Sequence, residues 1–447
     1  MRRMHLSHEP GTSDLSELVP AIREIARPLR DPSDLDPLME RIGDSRFVLL
    51  GEATHGTSEF YTWRTEISKR LIEEKGFSFI AVEGDWPDCY RVNRYVKACH
   101  DSGNSAQEVL HAFDRWPTWM WANEEIVELA EWLRELNDEL PEAQRIGFYG
   151  LDVYSLWSSM AEVIQYLQEQ SPDAVQRARE AYGCFDAFRG DVQEYARSTR
   201  WVPGGCEREV VSVLLELRRN APQYLDGTRE AYFDAEQNAL VARNAEHYYR
   251  TMVMGGPDSW NVRDRHMMQT LERLTDFHGP RAKAIVWEHN THIGDARFTD
   301  MAASGMVNIG QLCREARGRE GVVLVGFGTH RGSVIAANAW EAPMEELPVP
   351  PGRPGSWEHA LHEATGRDSL LLLEGEQAAA PLQRERGHRA IGVVYHPEWE
   401  AFGNYVPTVL PRRYDALLYV EESHAVRPLH MRAKHTREAP ETYPSGV

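Results

Sequence analysis

Hydrophobic runs of five or six residues recur along the chain between longer stretches with helical periodicity. This alternation is typical of α/β proteins. Most of the runs are almost continuously apolar, as parallel strands buried on both faces should be. The pattern predicts strands at residues 46–50, 78–82, 145–150, 282–287, 322–327, 369–373, 390–395 and 416–420. We therefore expect an α/β fold with a central, mostly parallel β-sheet flanked by helices.

The spacing of the predicted strands divides the chain into segments. About 130 residues without a convincing strand separate the third strand from the fourth, and this is far more than a crossover connection needs. We interpret this stretch as an inserted helical subdomain that forms a lid, and we expect the polar, proline-containing chain ends to be flexible tails. The predicted segments are 1–17 (tail), 18–154 (first part of the core), 155–278 (lid), 279–430 (second part of the core) and 431–447 (tail).

Two segments are predicted to be irregular. Residues 343–354 contain five prolines, which fit neither a helix interior nor a central strand, so we expect a loop. Residues 326–332 read GFGTHRG; they miss the dinucleotide-binding spacing by one residue and no clear helix follows. We interpret them as a turn between strands and not as a cofactor-binding loop.

Polar side chains follow five successive predicted strands, at the edge where open α/β sheets bind ligands. Each of them alone is more often a helix cap or a structural group. If the strands are adjacent and parallel, however, the side chains converge on one cleft and perturb each other's pKa values. Glu52 and His55 follow the first strand, Glu83 the second, Asp152 the third, Glu288, His289 and His292 the fourth, and His330 the fifth.

Two chemistries suit this cluster. In the first, a histidine acts as general base on water, a carboxylate fixes its tautomer, and a second histidine or an arginine stabilises the oxyanion. In the second, Glu52, His55, Glu83 and His289 hold a divalent metal that acidifies the water. The separation of His289 from His292 in a loop after a strand, and not at HExxH spacing on a helix, favours the metal-free chemistry. We therefore expect no cofactor, with the metal as the alternative.

Further residues bear on this cleft. Residues 59–74 are predicted to form an amphipathic helix with Arg64 on its apolar face, where Arg64 either pairs with a buried carboxylate or extends to solvent. The WPTWMW segment places Trp116, Trp119 and Trp121 either in the core or in the wall of an apolar ligand pocket. The charged residues of the segment 260–266 are interpreted as a solvated or ion-paired helix start.

Composition narrows the range of partners. The chain has 49 basic and 69 acidic side chains, a formal charge of −20, which disfavours nucleic acid and favours neutral or cationic small molecules. Its five scattered cysteines indicate neither a disulfide framework nor a zinc ribbon, so a cytoplasmic location is expected. No apolar run approaches the ~18 residues of a membrane helix, and the basic start lacks a signal peptide's apolar region. The absence of G-x-S-x-G argues against a serine nucleophile. The oligomeric state stays open.

Six motifs make the sequence recognisable: it resembles the erythromycin esterase-like family, within a wider group related to the ChaN and TIKI proteins. The resemblance covers most of the chain, roughly residues 22–429. The motifs are GEATHG (51–56), VEGD (82–85), WPTWMW (116–121), GLD (150–152), WEHNTHIGD (287–295) and PGSWE (354–358).

This resemblance implies hydrolysis of a carboxylic ester or lactone, such as a macrolide lactone, by activated water without a covalent intermediate. It implies that His55 is the general base, and that Glu52, Glu83, Arg64, His289 and His292 complete the catalytic set. It also implies a helical lid over the cleft. A metal-dependent hydrolase or peptidase and a non-catalytic small-ligand-binding protein remain the alternatives.

Overall fold

The computed structural model describes residues 12–188, 191–199, 205–221, 229–431 and 433. The strands are β1 (Ala26–Pro28), β2 (Phe47–Leu50), β3 (Phe79–Asp85), β4 (Gly147–Asp152), β5 (Ala284–Trp287), β6 (Val322–Ala337), β7 (Met344–Val349), β8 (Ser369–Leu372), β9 (Arg386–Arg389), β10 (Tyr405–Thr408) and β11 (Ala416–Ser423). The helices of the first half are α1 (Thr12–Ile25), α2 (Asp36–Ile42), α3 (Ser58–Lys75), α4 (Trp86–Val96), α5 (Ala106–His111), α6 (Glu124–Glu139), α7 (Leu156–Gln170), α8 (Pro172–Tyr182), α9 (Val192–Thr199) and α10 (Glu207–Arg219). The remaining helices are α11 (Arg229–Met252), α12 (Asp258–His278), α13 (Asn290–Ile293), α14 (Ile309–Arg317), α15 (Trp357–Thr365), α16 (Glu400–Gly403) and α17 (Leu410–Arg413).

A mixed, mostly parallel sheet organises the described part of the chain. Its strand order is β1-β8-β11-β6-β2-β5-β3-β4, and β7 pairs with the far half of β6. The neighbours from β11 to β4 are parallel, whereas the pairs β1–β8, β8–β11 and β6–β7 are antiparallel. β9 and β10 form a separate two-stranded ribbon. The predicted fold class is therefore confirmed.

Helices cover both faces of the sheet, because successive side chains of a strand point to opposite faces. In β2, Val48 and Leu50 pack in the same apolar cluster as residues of α3 and α6. Phe47 and Leu49 pack in a second cluster with residues of α12 and α14. Both faces of the central strands are thus buried, which leaves the carboxyl ends of the strands as the exposed edge for a ligand.

The described part of the segment between β4 and β5 contains the helices α7 to α12 and no strand. Leu156, Leu214 and Leu240, from α7, α10 and α11, belong to an apolar cluster separate from those on the sheet. α12 packs instead against the sheet, with Met267 and Leu271 in the cluster of β2 and α14. The segment therefore has its own core and one helix in the main core. Its role as a lid stays a prediction.

Cys184 and Cys206 of this helical segment form a disulfide, with their Cα atoms 6.0 Å apart. The cysteine spacing had indicated no disulfide framework, and this single bridge corrects that prediction. The two residues are 22 positions apart, and α9 lies between them in the chain. No helix within the described ranges combines the length and the apolarity that crossing a bilayer requires.

Three predicted segments differ from the structure. Residues 390–395 are not a strand; Ile391 and Val394 form isolated bridges to different partners, so this apolar run is buried without a continuous neighbour. Residues 326–332 are not a turn, because β6 runs straight through them. At Gly332, where φ is +144°, a Cβ atom would lie 1.9 Å from the Ser423 carbonyl oxygen, so this glycine permits a close approach of two strands.

The third difference concerns the proline-rich segment 343–354, which contains strand β7 and is not entirely a loop. Pro348 lies opposite Ser333 in the antiparallel pair with β6. β7 has no second neighbour among the described strands. Proline lacks the N–H that a central strand needs, but an edge strand tolerates it.

Candidate active site

The candidate site is a cleft at the carboxyl ends of β2, β5, β3 and β4. These four strands are adjacent and parallel, which is the condition under which the sequence predicts convergence. Glu52 and His55 follow β2, and His289 and His292 follow β5. Glu83 and Asp152 lie among the last three residues of β3 and β4. The residues lining the cleft include His55, Glu83, Asp85, Asp88, Arg115, Trp121, Asp152, Tyr154, Trp260, Arg263, His289, Thr291, His292 and Trp340.

A chain of charged side chains holds His55 in place. Arg64 donates from Nη2 to Glu52 Oε2 at 2.8 Å, and the other carboxylate oxygen, Oε1, lies 2.9 Å from His55 Nδ1. Arg64 is 0 % exposed and its guanidinium lies over the rings of Tyr61 and Trp287. Arg64 therefore pairs with a buried carboxylate and does not extend to solvent, which decides between the two predicted alternatives.

The charges around His55 strengthen its basicity. Burial lowers the pKa of His55, but the negative charges of Glu83 and Glu52 and the hydrogen bond to Glu52 outweigh burial, so the pKa is raised above 6.5. Because Nδ1 is bound to Glu52, Nε2 is the ring nitrogen available to a ligand in the cleft.

Arg263, from α12, is the centre of the acidic part of the cleft. It donates from Nε and Nη2 to the two carboxylate oxygens of Asp152, at 3.0 and 2.7 Å, and from Nη2 to Glu83 Oε1 at 2.7 Å. Burial raises the pKa of Glu83, yet the neighbouring His292, Arg263 and His55 shift it below the usual range. Glu83 is therefore an ionised carboxylate, and Arg263 neutralises part of its charge.

Both ring nitrogens of His292 are engaged with protein groups. Arg263 Nη1 lies 3.1 Å from Nε2, and because an arginine nitrogen can only donate, Nε2 is the acceptor in this contact. Nδ1 faces the Asp264 carboxylate at 3.0 Å. The ring also stacks on Trp260, with centroids 4.5 Å apart and planes 4° apart. His292 is thus fixed in position and has no free ring nitrogen for a substrate.

His289 has a different environment. Its backbone N–H donates to Glu83 Oε2 at 2.8 Å. Its Nδ1 accepts from the Thr291 backbone N–H at 3.3 Å and lies 2.8 Å from the Thr291 hydroxyl, which can also donate to it. Burial and the nearby His55, with ring centroids 4.8 Å apart, hold the pKa of His289 well below 6.5. The ring is therefore neutral with its proton on Nε2, and this buried atom has no hydrogen-bond partner among the described residues. Such a donor can serve a ligand in the cleft.

The predicted aromatic wall divides into two groups. Trp121 lines the cleft and donates from Nε1 to the Glu83 carbonyl oxygen at 3.0 Å. Trp116 and Trp119 are buried beside it in an edge-to-face pair, outside the cleft lining. Trp340 packs against Trp116 with the two ring planes tilted by 55°, and it does reach the cleft. The WPTWMW segment thus supplies three residues of the cleft lining, Pro117, Met120 and Trp121, and the two supporting core residues Trp116 and Trp119.

Two other predicted substrate-binding residues lie apart from the cleft lining. Glu288 is fully buried, its carboxyl oxygens have no hydrogen-bond partner within the described chain, and burial followed by the charges of Glu83 and Asp264 raises its pKa well above 4.5. His330 lies within β6 and stacks on His362. The roles of Glu288 and His330 in substrate binding stay predictions, and the positions of the two residues outside the cleft lining do not favour them.

Arg263, Asp264 and Trp260 are not among the predicted site residues, because the sequence of their segment indicates a solvated or ion-paired helix start. Arg263 and Asp264 are 6 % and 0 % exposed, so these two charged side chains are ion-paired and not solvated, whereas Arg265 is exposed. A signal was present: Trp260, Arg263, Asp264 and Met267 follow the i, i+3, i+4, i+7 spacing of one buried helix face. A charged pair on such a face predicts buried partners elsewhere in the chain.

The alternative metal ligands are bound to protein groups. Both oxygens of Glu83 accept hydrogen bonds, from Arg263 and from the His289 backbone. Glu52 is shared between Arg64 and His55. A metal at this position would have to displace these partners, so the donor set fits hydrogen bonding better than metal coordination. The metal-dependent mechanism stays a prediction.

Comparisons with known proteins place the chain among related hydrolases. A family model described as erythromycin esterase matches residues 72–423. The putative hydrolase YbfO of Bacillus subtilis (strain 168) is 20% identical over 407 residues, which cover 87% of this chain and 86% of that protein. Erythromycin esterase type II of Escherichia coli is 31% identical over 120 residues, which cover 27% of this chain and 26% of that protein.

Solved structures share the fold. A protein described as a succinoglycan biosynthesis protein aligns with a TM-score of 0.76 and 23% identity, over 93% of this chain and 99% of that chain. A mutant of the erythromycin esterase EreC, in its open conformation, aligns with a TM-score of 0.65 and 17% identity, over 88% and 95%. The family match includes Glu83, Arg263 and His289, whereas His55 precedes it. Because the match spans most of the chain, the protein belongs to the erythromycin esterase family, and this membership supports a hydrolase that acts on a small molecule.

Proposed function

We propose that this protein hydrolyses a carboxylic ester or lactone by direct attack of water, with His55 as the general base. The observation that carries the proposal is the Arg64–Glu52–His55 chain, because it fixes one ring nitrogen of a cleft histidine and leaves the other for water. A carboxylate that binds Nδ1–H sets the tautomer in which Nε2 accepts a proton, and it stabilises the imidazolium that then forms.

The proposed reaction proceeds in two steps that balance protons. His55 Nε2 removes a proton from water as the water oxygen bonds to the ester carbonyl carbon, and the carbonyl becomes an oxyanion. The oxyanion then collapses, the bond to the alcohol oxygen breaks, and the imidazolium returns its proton to that oxygen. The products are a carboxylic acid and an alcohol, or one hydroxy acid from a lactone.

His289 is the proposed donor to the oxyanion. Its neutral ring carries a proton on a buried nitrogen without a protein partner, beside the ring of His55. A preorganised donor of this kind stabilises charge that develops in the transition state. We assign His292 and Arg263 a positioning role, because their hydrogen-bonding groups already hold Asp264, Asp152 and Glu83.

The cleft combines aromatic rings with acidic groups, and this limits the substrate class. Trp121, Tyr154 and Trp260 provide apolar surface, and Asp85 and Asp88 add negative charge near the same opening. We therefore expect a neutral or cationic ester of appreciable apolar area. An aminosugar-bearing macrolide lactone belongs to this class and is the first candidate substrate.

The test is a mass-spectrometric screen of macrolides, simple lactones and esters with the purified full chain, with and without a chelator. Turnover should add one water, ~18 Da, to a lactone, and His55→Ala should lower the rate by ~10²–10⁴. His289→Ala should lower it by ~10²–10³. His100→Ala is the matched control, because His100 is exposed and pairs with Asp101 at the surface.

Retained turnover in His55→Ala would disprove the assignment of the base. Turnover that chelation abolishes in the parent protein, and that added metal restores, would favour the metal-dependent mechanism. Saturable binding of these compounds without any product would favour a ligand-binding protein instead of an enzyme.

A further inference from the structure

A second histidine cluster lies outside the cleft, where β6, β11 and α15 meet. His330 is on β6 and Glu421 on β11, and they are direct neighbours because the flanking pairs Thr329–Val420 and Arg331–Glu422 are in register. His362, on α15, packs over them, and its ring stacks on that of His330 with centroids 3.9 Å apart. Three elements that are distant in sequence thus place two imidazoles and a carboxylate together.

The three side chains have the spacing of a metal site. One ligand atom from each of His330, His362 and Glu421 lies within 4.8 Å of the other two. His362 Nδ1 is 2.7 Å from Glu421 Oε1. The second oxygen, Oε2, accepts from the Tyr419 hydroxyl at 2.7 Å. That bond orients the carboxylate, as partners of metal ligands commonly do.

His330 supplies an independent indication of a ligand. Its side chain is buried, with a residue exposure of 4 %, and Nδ1 has no hydrogen-bond partner among the described residues. Buried ring nitrogens are normally satisfied. An imidazole nitrogen without a protein partner is available to bind a metal.

We propose that His330, His362 and Glu421 bind a divalent first-row transition metal, with Zn²⁺ as the best fit, at a site distinct from the cleft. Two imidazoles and one carboxylate suit Zn²⁺ and its neighbours, whereas Mg²⁺ and Ca²⁺ prefer oxygen ligands. Three protein ligands leave one tetrahedral position for water or an external group.

Solvent access and side-chain freedom allow an ion to enter. The two rings lie 8° from parallel, so one of them must turn before both can point at a single ion. His362 can do so, because its side chain is 37% exposed, compared with 16% for Glu421. The ion would replace the hydrogen bond between His362 and Glu421 and would fasten α15 to β6 and β11.

The experiment titrates Zn²⁺ into the full chain after chelation and dialysis, by isothermal titration calorimetry, with any affinity tag removed. The expected result is one Zn²⁺ per chain. His362→Ala and Glu421→Gln should each weaken binding by more than ~100-fold, the upper end of the effect of removing an outer-shell partner. His359→Ala, on the same helix, and His55→Ala, in the cleft, should bind as the parent does.

Co²⁺ provides a second readout, because its visible absorption reports coordination by nitrogen. The parent should show the band, and the His362→Ala variant should lose it. Absence of saturable Zn²⁺ binding to the parent, or equal binding to His362→Ala and Glu421→Gln, would overturn the proposal. Loss of binding in His55→Ala alone would place the ion in the cleft. Thermal melting in chelator checks that each variant is folded.

Discussion

The ion pair of Arg64 and Glu52 permits a quantitative test of how the candidate base is positioned. Arg64→Met removes a guanidinium that is 0 % exposed and leaves the Glu52 carboxylate, itself 2 % exposed, without its cation. Breaking a buried ion pair in this way typically costs ~3–5 kcal/mol. Native proteins are stable by only ~5–15 kcal/mol, so the variant should lose a large share of the free energy of unfolding.

A double-mutant cycle separates the pair from its surroundings. Glu52→Gln alone leaves a buried guanidinium with a weaker partner, but Arg64→Met combined with Glu52→Gln leaves neither charge. The double variant should therefore be at least ~2 kcal/mol more stable than the sum of the single losses predicts, within the usual range of coupling between contacting residues. Urea denaturation followed by tryptophan fluorescence measures this, and Trp287, 4.7 Å from the Arg64 guanidinium, reports on the site.

Catalysis should not recover with stability. In the double variant no carboxylate holds His55 Nδ1, so ester turnover should stay low although the fold is restored. Two results would refute the argument that a buried charge pair holds Glu52. One is that the losses in free energy of unfolding of the two single variants add up in the double variant. The other is that the free energy of unfolding of Arg64→Met differs by no more than ~1 kcal/mol from that of the parent. Full turnover in the double variant would refute the positioning role of Glu52.

Two further predictions concern protons. Burial lowers the pKa of His55, but Glu83 and Glu52 raise it by more, so the ring becomes protonated and can no longer act as a base as pH falls through a value above 6.5. The Glu83→Gln variant should therefore show the acid limb of its kcat/KM profile at lower pH than the parent. An acid limb that does not move would contradict the role of His55. Glu288 is buried with a pKa well above 4.5, whereas the unfolded side chain is ionised above about pH 4.3, so between these two pKa values the chain takes up a proton on folding. Proton uptake on folding lowers the free energy of unfolding of the parent as pH rises. The free energy of unfolding of Glu288→Gln minus that of the parent, measured by urea denaturation, should therefore grow by ~1.4 kcal/mol per pH unit above about pH 5. The same difference at pH 5 and at pH 7 would contradict this prediction.

The convergence of the site was predictable because it depends on a local pattern. Apolar runs define β2, β3, β4 and β5, and the residues directly after or at the end of each run must lie at the same edge once the strands are parallel neighbours. Glu52, His55, Glu83 and His289 therefore meet regardless of how the surrounding helices pack. Arg64 was placed on a buried helix face by spacing alone, and burial then required its carboxylate partner.

The contribution of Arg263 could not be predicted in the same way. Its partners Glu83 and Asp152 are 180 and 111 residues earlier in the chain. Their meeting depends on how a long helical segment returns to the sheet, which no local pattern encodes. Gly332 shows a second limit, since a glycine that admits a neighbouring strand and a glycine that makes a turn look alike in sequence.

Arg263 also has a consequence for the order in which the molecule can assemble. During synthesis the strands that bear Glu83 and Asp152 emerge before α12, so their two carboxylates lack the guanidinium that binds both of them until Arg263 arrives. Docking of α12 then supplies the positive charge that Glu83 and Asp152 share at this edge of the sheet. The helical segment therefore does more than flank the cleft, because its last helix supplies the cation that holds the carboxylates at the ends of β3 and β4.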